Sequence, residues 1–245
     1  MREMIRWKIG CSGFYYKSWK ETFYPSTLPQ REWFDYYCQH FDTVELNVTF
    51  YRFPKLSFLQ NWYKKSPDHF RFTVKAPRLI THYKKFSDSS TLLTEFYNVV
   101  QQGLQEKLQF ILFQLPPSVT YSPQMLALII RSLDTNFLNV LEFRHPSWWN
   151  TDVYTTLGAS NIIFCSMSHP SLPSDVIVNT SWIYYRMHGD TKLYGSDYSE
   201  RQLKKLATDI EANGQVKEAY IYFNNDMEGH AVQNAKALKQ ITSTR

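Results

Sequence analysis

Residues 110–144 read FILFQLPPSVTYSPQMLALIIRSLDTNFLNVLEFR, and the fold is decided there. Two short apolar runs, 110–114 and 140–144, flank a stretch in which Met125, Leu126, Ile129 and Leu133 recur at helical spacing. A strand, a crossover helix and a second strand in that order make a βαβ unit, the building block of a parallel sheet. The same alternation runs through the whole chain. Further strand-like runs fall at 7–11, 43–47, 71–75, 162–165, 183–188 and 219–224, which brings the total to about eight. Between them lie amphipathic stripes: Trp33, Phe34, Tyr37 and Phe41; Leu56, Leu59, Trp62 and Tyr63; Leu92, Phe96, Val99 and Leu104. Later, Leu203, Leu206 and Ile210 follow a Ser199/Gln202 capping box and are closed by Gly214, and Ala231, Ala235 and Leu238 mark a last helix. Eight βα repeats in 245 residues give the arithmetic of a single (β/α)8 TIM-type barrel occupying residues 1–245. The sixth unit is the irregular one, because SMSHPSLPSDVIVNTS (166–181) holds three turn signals and little apolar periodicity. An open doubly wound sheet is the alternative, but no GxGxxG follows any strand and no GxxxxGK[ST] occurs.

Composition narrows the class without naming an activity. Hydrophobic residues are 43% and charged ones 20%, which excludes disorder, and eight glycines exclude collagen-like and Gly-rich chains. Lys+Arg 27 against Asp+Glu 22 leaves +5, a mild bias toward anionic partners. The N-terminal MREMIRWKIG has no apolar core of a signal peptide, and no run approaches membrane-span length, so a cytoplasmic protein with no membrane partner is expected. Cys11, Cys38 and Cys165 are too few and too scattered for disulfides or a thiolate zinc site; Cys11 reads as a buried apolar thiol rather than a nucleophile.

Side chains alternate across a strand, so residues two apart share a face. Glu45 and Asn47 then oppose Val44 and Leu46; Lys75 opposes Val74; Glu142 and Arg144 oppose Leu141 and Phe143; Arg186 and His188 share a face with Tyr184, and Asn224 with Tyr222. In a barrel the apolar face meets the helices, so these polar residues are expected to point inward at the C-terminal strand ends, where barrel enzymes build their sites. Glu45, Glu142 and His188 are the candidate proton-transfer groups. Asn47, Lys75, Gln114, Arg144, Arg186 and Asn224 are the candidate binding groups, joined by Tyr194 from DTKLYGSDY (190–198), which reads as a mobile lid. Lysine and two arginines favour a small anionic, hydroxyl-bearing ligand. They also disfavour a catalytic metal: His82, His145, His169 and His188 lie near strand ends without HExxH or facial-triad spacing. No cofactor fingerprint is present, so none is expected. Aromatics crowd the same loops, at Phe14, Tyr15, Tyr16 and Trp19, Phe50 and Tyr51, Trp148 and Trp149, and Tyr198; most are expected to pack between loops, some to stack on a ligand.

Seven blocks then carry a resemblance: GCSGFYYKSW (10–19), TVELNVTFYR (43–52), FTVKAPRLITH (72–82), LFQLPPS (112–118), EFRHPSW (142–148), YYRMHG (184–189) and YFNND (222–226). In this order and over essentially the whole chain they resemble the YecE-like family, domain of unknown function seventy-two. The resemblance implies a TIM-type barrel and brings no established reaction. It also implies a departure after the sixth strand, where many relatives are expected to carry an Asp and this chain has Cys165, Ser166 and Met167. Three readings follow: an acid-base enzyme, hydrolase or isomerase, on a phosphorylated metabolite or phosphodiester; a nucleic-acid-binding protein resembling barrel endonucleases; or a non-catalytic sensor of an anionic ligand. The sequence leaves the oligomeric state open.

Overall fold

A computed structural model describes residues 4–243. Eight parallel strands form one sheet in the order β1-β8-β7-β6-β5-β4-β3-β2. They are β1 (Arg6–Cys11), β2 (Thr43–Leu46), β3 (Arg71–Lys75), β4 (Leu108–Gln114), β5 (Asn139–Glu142), β6 (Ile163–Ser168), β7 (Trp182–Met187) and β8 (Glu218–Phe223). The helices of eight or more residues are α3 (Leu56–Lys65), α4 (Ser90–Leu104), α5 (Pro123–Ser132), α6 (Thr151–Ala159), α7 (Glu200–Glu211) and α8 (His230–Ser243), with the shorter α1 (Trp33–Cys38) and α2 (Val48–Tyr51) preceding them. The two ends of the strand order meet through a parallel bridge between Ser12 and Glu45. Gly10 permits that approach, since a Cβ there would collide with the Thr43 carbonyl. This is the (β/α)8 TIM-type barrel expected from the sequence. Between β6 and β7 the described residues form turns and coil with no helix, so the sixth unit is irregular.

The chain divides into two compact units: the described residues of Met1–Glu45 with Ser166–Arg245, and Leu46–Cys165. In the first, β1 and β7 flank β8 in register, with Ile9, Ile183, Ile221 and Phe223 buried, and α8 packs on β1 and β8 through Ala231, Ala235 and Leu238. The α7 capping box forms as expected, Ser199 accepting from the Gln202 backbone while the Gln202 side chain accepts from the Ser199 backbone. The helix ends before Gly214, however: Ala212 keeps right-handed geometry and is the cap.

In the second unit Ser122 and Asn150 cap α5 and α6 through their side chains, and Leu126, Ile129, Val153 and Leu157 turn inward. The buried arc of α4 is rotated from the expected stripe: Leu93, Phe96, Tyr97, Val100 and Leu104 are buried, while Leu92 and Val99 sit at the margin. Tyr97 explains the rotation, because its hydroxyl donates to Asn139 Oδ1 (2.8 Å) and an otherwise costly polar group is satisfied inside. Leu59 alone of the α3 stripe is fully enclosed, pressed into the space that Gly103 leaves on α4.

Candidate functional site

The strands stop one or two residues earlier than the alternation argument assumed. Asn47 lies beyond β2 and precedes α2, Arg144 lies two past β5, His188 one past β7 and Asn224 one past β8. These four therefore belong to loop starts at the C-terminal strand ends, where pleating no longer dictates direction. The selected residues fall into two groups, one in each unit.

In the first unit, Glu45 is fully buried and both its oxygens are engaged. Arg186 Nη2 donates to Oε1 and the Tyr184 hydroxyl to Oε2, each at 2.5 Å. Arg186, itself 0% exposed, also donates from Nη1 to His188 Nε2 (3.3 Å) and from Nη2 to Ser12 Oγ (3.5 Å). A guanidinium carries only donors, so Nε2 is the acceptor in the contact with Arg186. Nδ1 lies 3.0 Å from the Asn224 amide nitrogen, Nδ2. His188 is thus clamped between Arg186 and Asn224. Tyr194 adopts a left-handed backbone (φ 61°), donates its N–H to the His188 carbonyl (2.5 Å) and accepts from the Met227 N–H (2.9 Å). The segment expected as a lid is accordingly laced to both strand-end loops.

One group beside this network escaped the sequence reading. Asp226, half-buried, accepts from the Trp19 indole N–H. Burial raises its carboxyl to about 6 in spite of that hydrogen bond. Tyr16 packs against Trp19 with tilted rings (5.0 Å between centroids) and donates its hydroxyl to the Ser12 carbonyl (2.5 Å), so Asp226 connects through Trp19, Tyr16 and Ser12 to Arg186. Burial, then the charge of Asp226, holds the Tyr16 phenol above its usual range. The available signal was spacing, since Asp226 stands two residues after Asn224 in YFNND.

In the second unit, Lys75 Nζ donates to Gln114 Oε1 (2.6 Å) and lies 4.2 Å from the Phe50 ring centroid. Gln114 is the parallel-register partner of Glu142, and Arg144 donates from Nε and Nη2 to Glu142 Oε1. Thr49 donates to the Lys75 carbonyl (2.6 Å) and the Leu46 carbonyl (3.0 Å), tying α2 to β3. His82, beside Phe50, is the local reporter: burial first, then the charges of Lys75, Arg144 and Arg78, hold its imidazole down at about 4, with Glu142 opposing. Asn47 Oδ1 is buried without a hydrogen-bond partner among the described residues. Such an acceptor costs about 1–3 kcal/mol until a donor reaches it.

The aromatics divide. Phe14, Trp19, Trp148 and Tyr198 are core, Trp148 stacked on Phe143 at 4.0 Å, whereas Tyr15 and Tyr51 are exposed. Cys11 is fully enclosed and burial pushes its thiol up, which makes it inert. Among the described residues no three His, Cys, Asp or Glu converge as a metal site requires, and no helix is long and apolar enough to cross a membrane.

Comparison with known proteins follows the same lines. UPF0759 protein YunF of Bacillus subtilis (strain 168) is 22% identical over 254 aligned positions, covering 90% of each chain. UPF0759 protein YecE of Escherichia coli (strain K12) is 32% identical over 116 residues, 46% of this chain and 42% of that protein. A DUF72 family protein of Thermotoga maritima MSB8 superposes with a TM-score of 0.88 at 30% identity, over 97% of this chain and 99% of that one. A second DUF72 protein, from Enterococcus faecalis V583, shares the fold at a TM-score of 0.84 and 18% identity over 97% and 95% of the two chains. The family model described as "Protein of unknown function DUF72" matches residues 8–245, nearly the whole chain including both polar groups, and the protein belongs to that family.

Proposed function

We propose that the protein is an enzyme that binds a small anionic, hydroxyl-bearing substrate at Asn47, Lys75, Gln114 and Arg144 and acts on it by acid-base chemistry, as a hydrolase or isomerase. The observation that carries this reading is the charge around His82. Lys75 and Arg144, both buried, outnumber Glu142 there, and burial first, then these charges, hold the imidazole down at about 4. An excess of positive charge enclosed with little water favours a phosphate or carboxylate, for which a guanidinium fork and an ammonium are complementary. The orphan Asn47 acceptor fits a substrate hydroxyl. An anion that takes up Arg144 leaves Glu142 available as base, the role expected of it from sequence. In the first unit Glu45 orients Arg186 and His188, and these two with Asn224 and Tyr194 supply a rigid polar frame for binding or proton transfer.

The test is a thermal-shift screen of phosphorylated and carboxylated metabolites, followed by turnover assays on each ligand found. At 100-fold excess over Kd, binding stabilises by about 2.7 kcal/mol, or roughly 5–10 °C at this chain length. Lys75→Met is expected to abolish the shift, and Glu142→Gln to keep binding while losing turnover. No shift with any ligand, or an undiminished shift in Lys75→Met, refutes the reading; binding without turnover identifies a sensor instead.

A further inference from the structure

The chain's positive charge is not spread evenly. Residues 48–85 hold nine Lys and Arg against one Asp, so the remaining 207 residues hold 18 against 21 and are net acidic. Within that segment the loops after β2 and β3 expose planar rings to solvent: Tyr51 is 65% and Tyr83 64% exposed, with Leu79 and Val48 beside them in sequence. Arg78, exposed, has its guanidinium 5.7 Å from the Tyr51 ring centroid and 5.5 Å from that of Tyr83. A short π-helix, Leu79–Tyr83, presents the second tyrosine, and π-helical turns are frequent at functional positions. Lys85, Phe86 and Asp88 then follow in left-handed backbone, a run of non-glycine residues that the fold maintains against its steric cost. Two large rings left in water around one arginine gain nothing from folding. They are suited to stacking, and the excess of cations supplies the attraction for a polyanion.

We infer that the surface formed by Tyr51, Arg78 and Tyr83, with Arg52, Lys84 and Lys85 beside it, binds single-stranded nucleic acid. Bases have π-faces that stack on tyrosine and guanidinium planes without sequence preference, while phosphates follow the cations. A duplex hides its bases and offers this surface only its backbone. An anionic membrane would call for a contiguous apolar face to insert, whereas here the rings are interleaved with charge. The inference does not rest on the proposed small-substrate reading: the surface is exposed, and it adjoins the Lys75 site through Phe50, which contacts Tyr51 (5.1 Å) and His82 (5.0 Å), and through the charge of Arg78 on His82.

Fluorescence anisotropy with labelled dT15 and rU15, a 15-base-pair duplex, and phosphatidylserine/phosphatidylcholine vesicles distinguishes the partners. Binding to the single strands is expected to exceed that to the duplex. With three or four phosphates neutralised, the logarithmic salt slope is about −2 to −3, so affinity falls roughly 20- to 60-fold from 50 to 200 mM NaCl. Tyr51→Ala/Tyr83→Ala is expected to weaken binding about fivefold or more per ring. Arg52→Gln/Lys84→Gln is expected to flatten the salt slope. Tyr51, Arg52 and Tyr83 are exposed and Lys84 is half-buried, and an unchanged melting temperature confirms that the variants fold. Absence of oligonucleotide binding, equal or tighter binding to duplex, vesicle binding alone, or an affinity indifferent to loss of both tyrosines overturns the inference.

Discussion

Asp226→Asn isolates one charge and gives the structure a quantitative test. The carboxyl stands at about 6 in the folded protein against 3.8 for a free aspartate. Between those values the folded chain holds a proton that the unfolded chain has lost, so stability falls as pH rises from about 4 to 6 and stays lowered above. A shift of about 2 units sets a ceiling near 3 kcal/mol. Asp226 is only half-buried, and water screening reduces the expected effect to about 1 kcal/mol. Asparagine keeps an acceptor for the Trp19 N–H and removes the charge. Urea denaturation of both proteins at pH 4 and pH 8 is the assay. The variant should gain about 1 kcal/mol at pH 8, a rise in Tm of roughly 2–4 °C, and almost nothing at pH 4. An equal gain at both pH values, or a loss at pH 8, refutes the argument that desolvated charge is responsible. A gain confined to high pH would show that the fold tolerates a standing cost at this position, as functional sites commonly do.

Other outcomes follow from the same geometry. Arg186→Met strands the buried Glu45 carboxylate and should cost about 3–5 kcal/mol in chemical denaturation, while Glu45→Gln/Arg186→Met should recover much of it; a near-neutral single variant would contradict the pairing. The His82 ring protons should titrate near pH 4 by NMR and move toward 6.5 in Lys75→Met; an unchanged midpoint would remove the lysine from the cause. Cys11, Cys38 and Cys165 are all buried, so a thiol reagent should find none in the native protein and three after unfolding; rapid native labelling of Cys11 would revive it as a nucleophile.

Much of the fold was legible because its signals are local. Residues 110–144 contain a strand, a helix with its own Ser122 cap, and a second strand, and each element buries a face set by its own period. The absence of a helix after β6 was readable from turn residues alone. Strand ends were not, because Asn47, Arg144, His188 and Asn224 differ from strand residues only in what the neighbouring loops ask of them. The buried arc of α4 was missed for a related reason: Asn139, 42 residues further on, makes Tyr97 a core residue.

For the candidate site, alternation was enough to single out Glu45, Lys75, Glu142 and Arg186, since a charged residue in an apolar strand must face away from the helices. Which charge answers which was a matter of tertiary structure. Glu45 meets Arg186 across 141 residues, while Glu142 meets Arg144 two residues away. Asp226, ordinary in sequence, acquires its unusual affinity for a proton only from the burial around it, against the opposing hydrogen bond from Trp19, 207 residues earlier. Sequence determines which residues carry charge and on which face of a strand they lie. Desolvation and partnership depend on distances that only the folded chain establishes, and these decide which of those charges is clamped, which is neutral and which is open to a ligand.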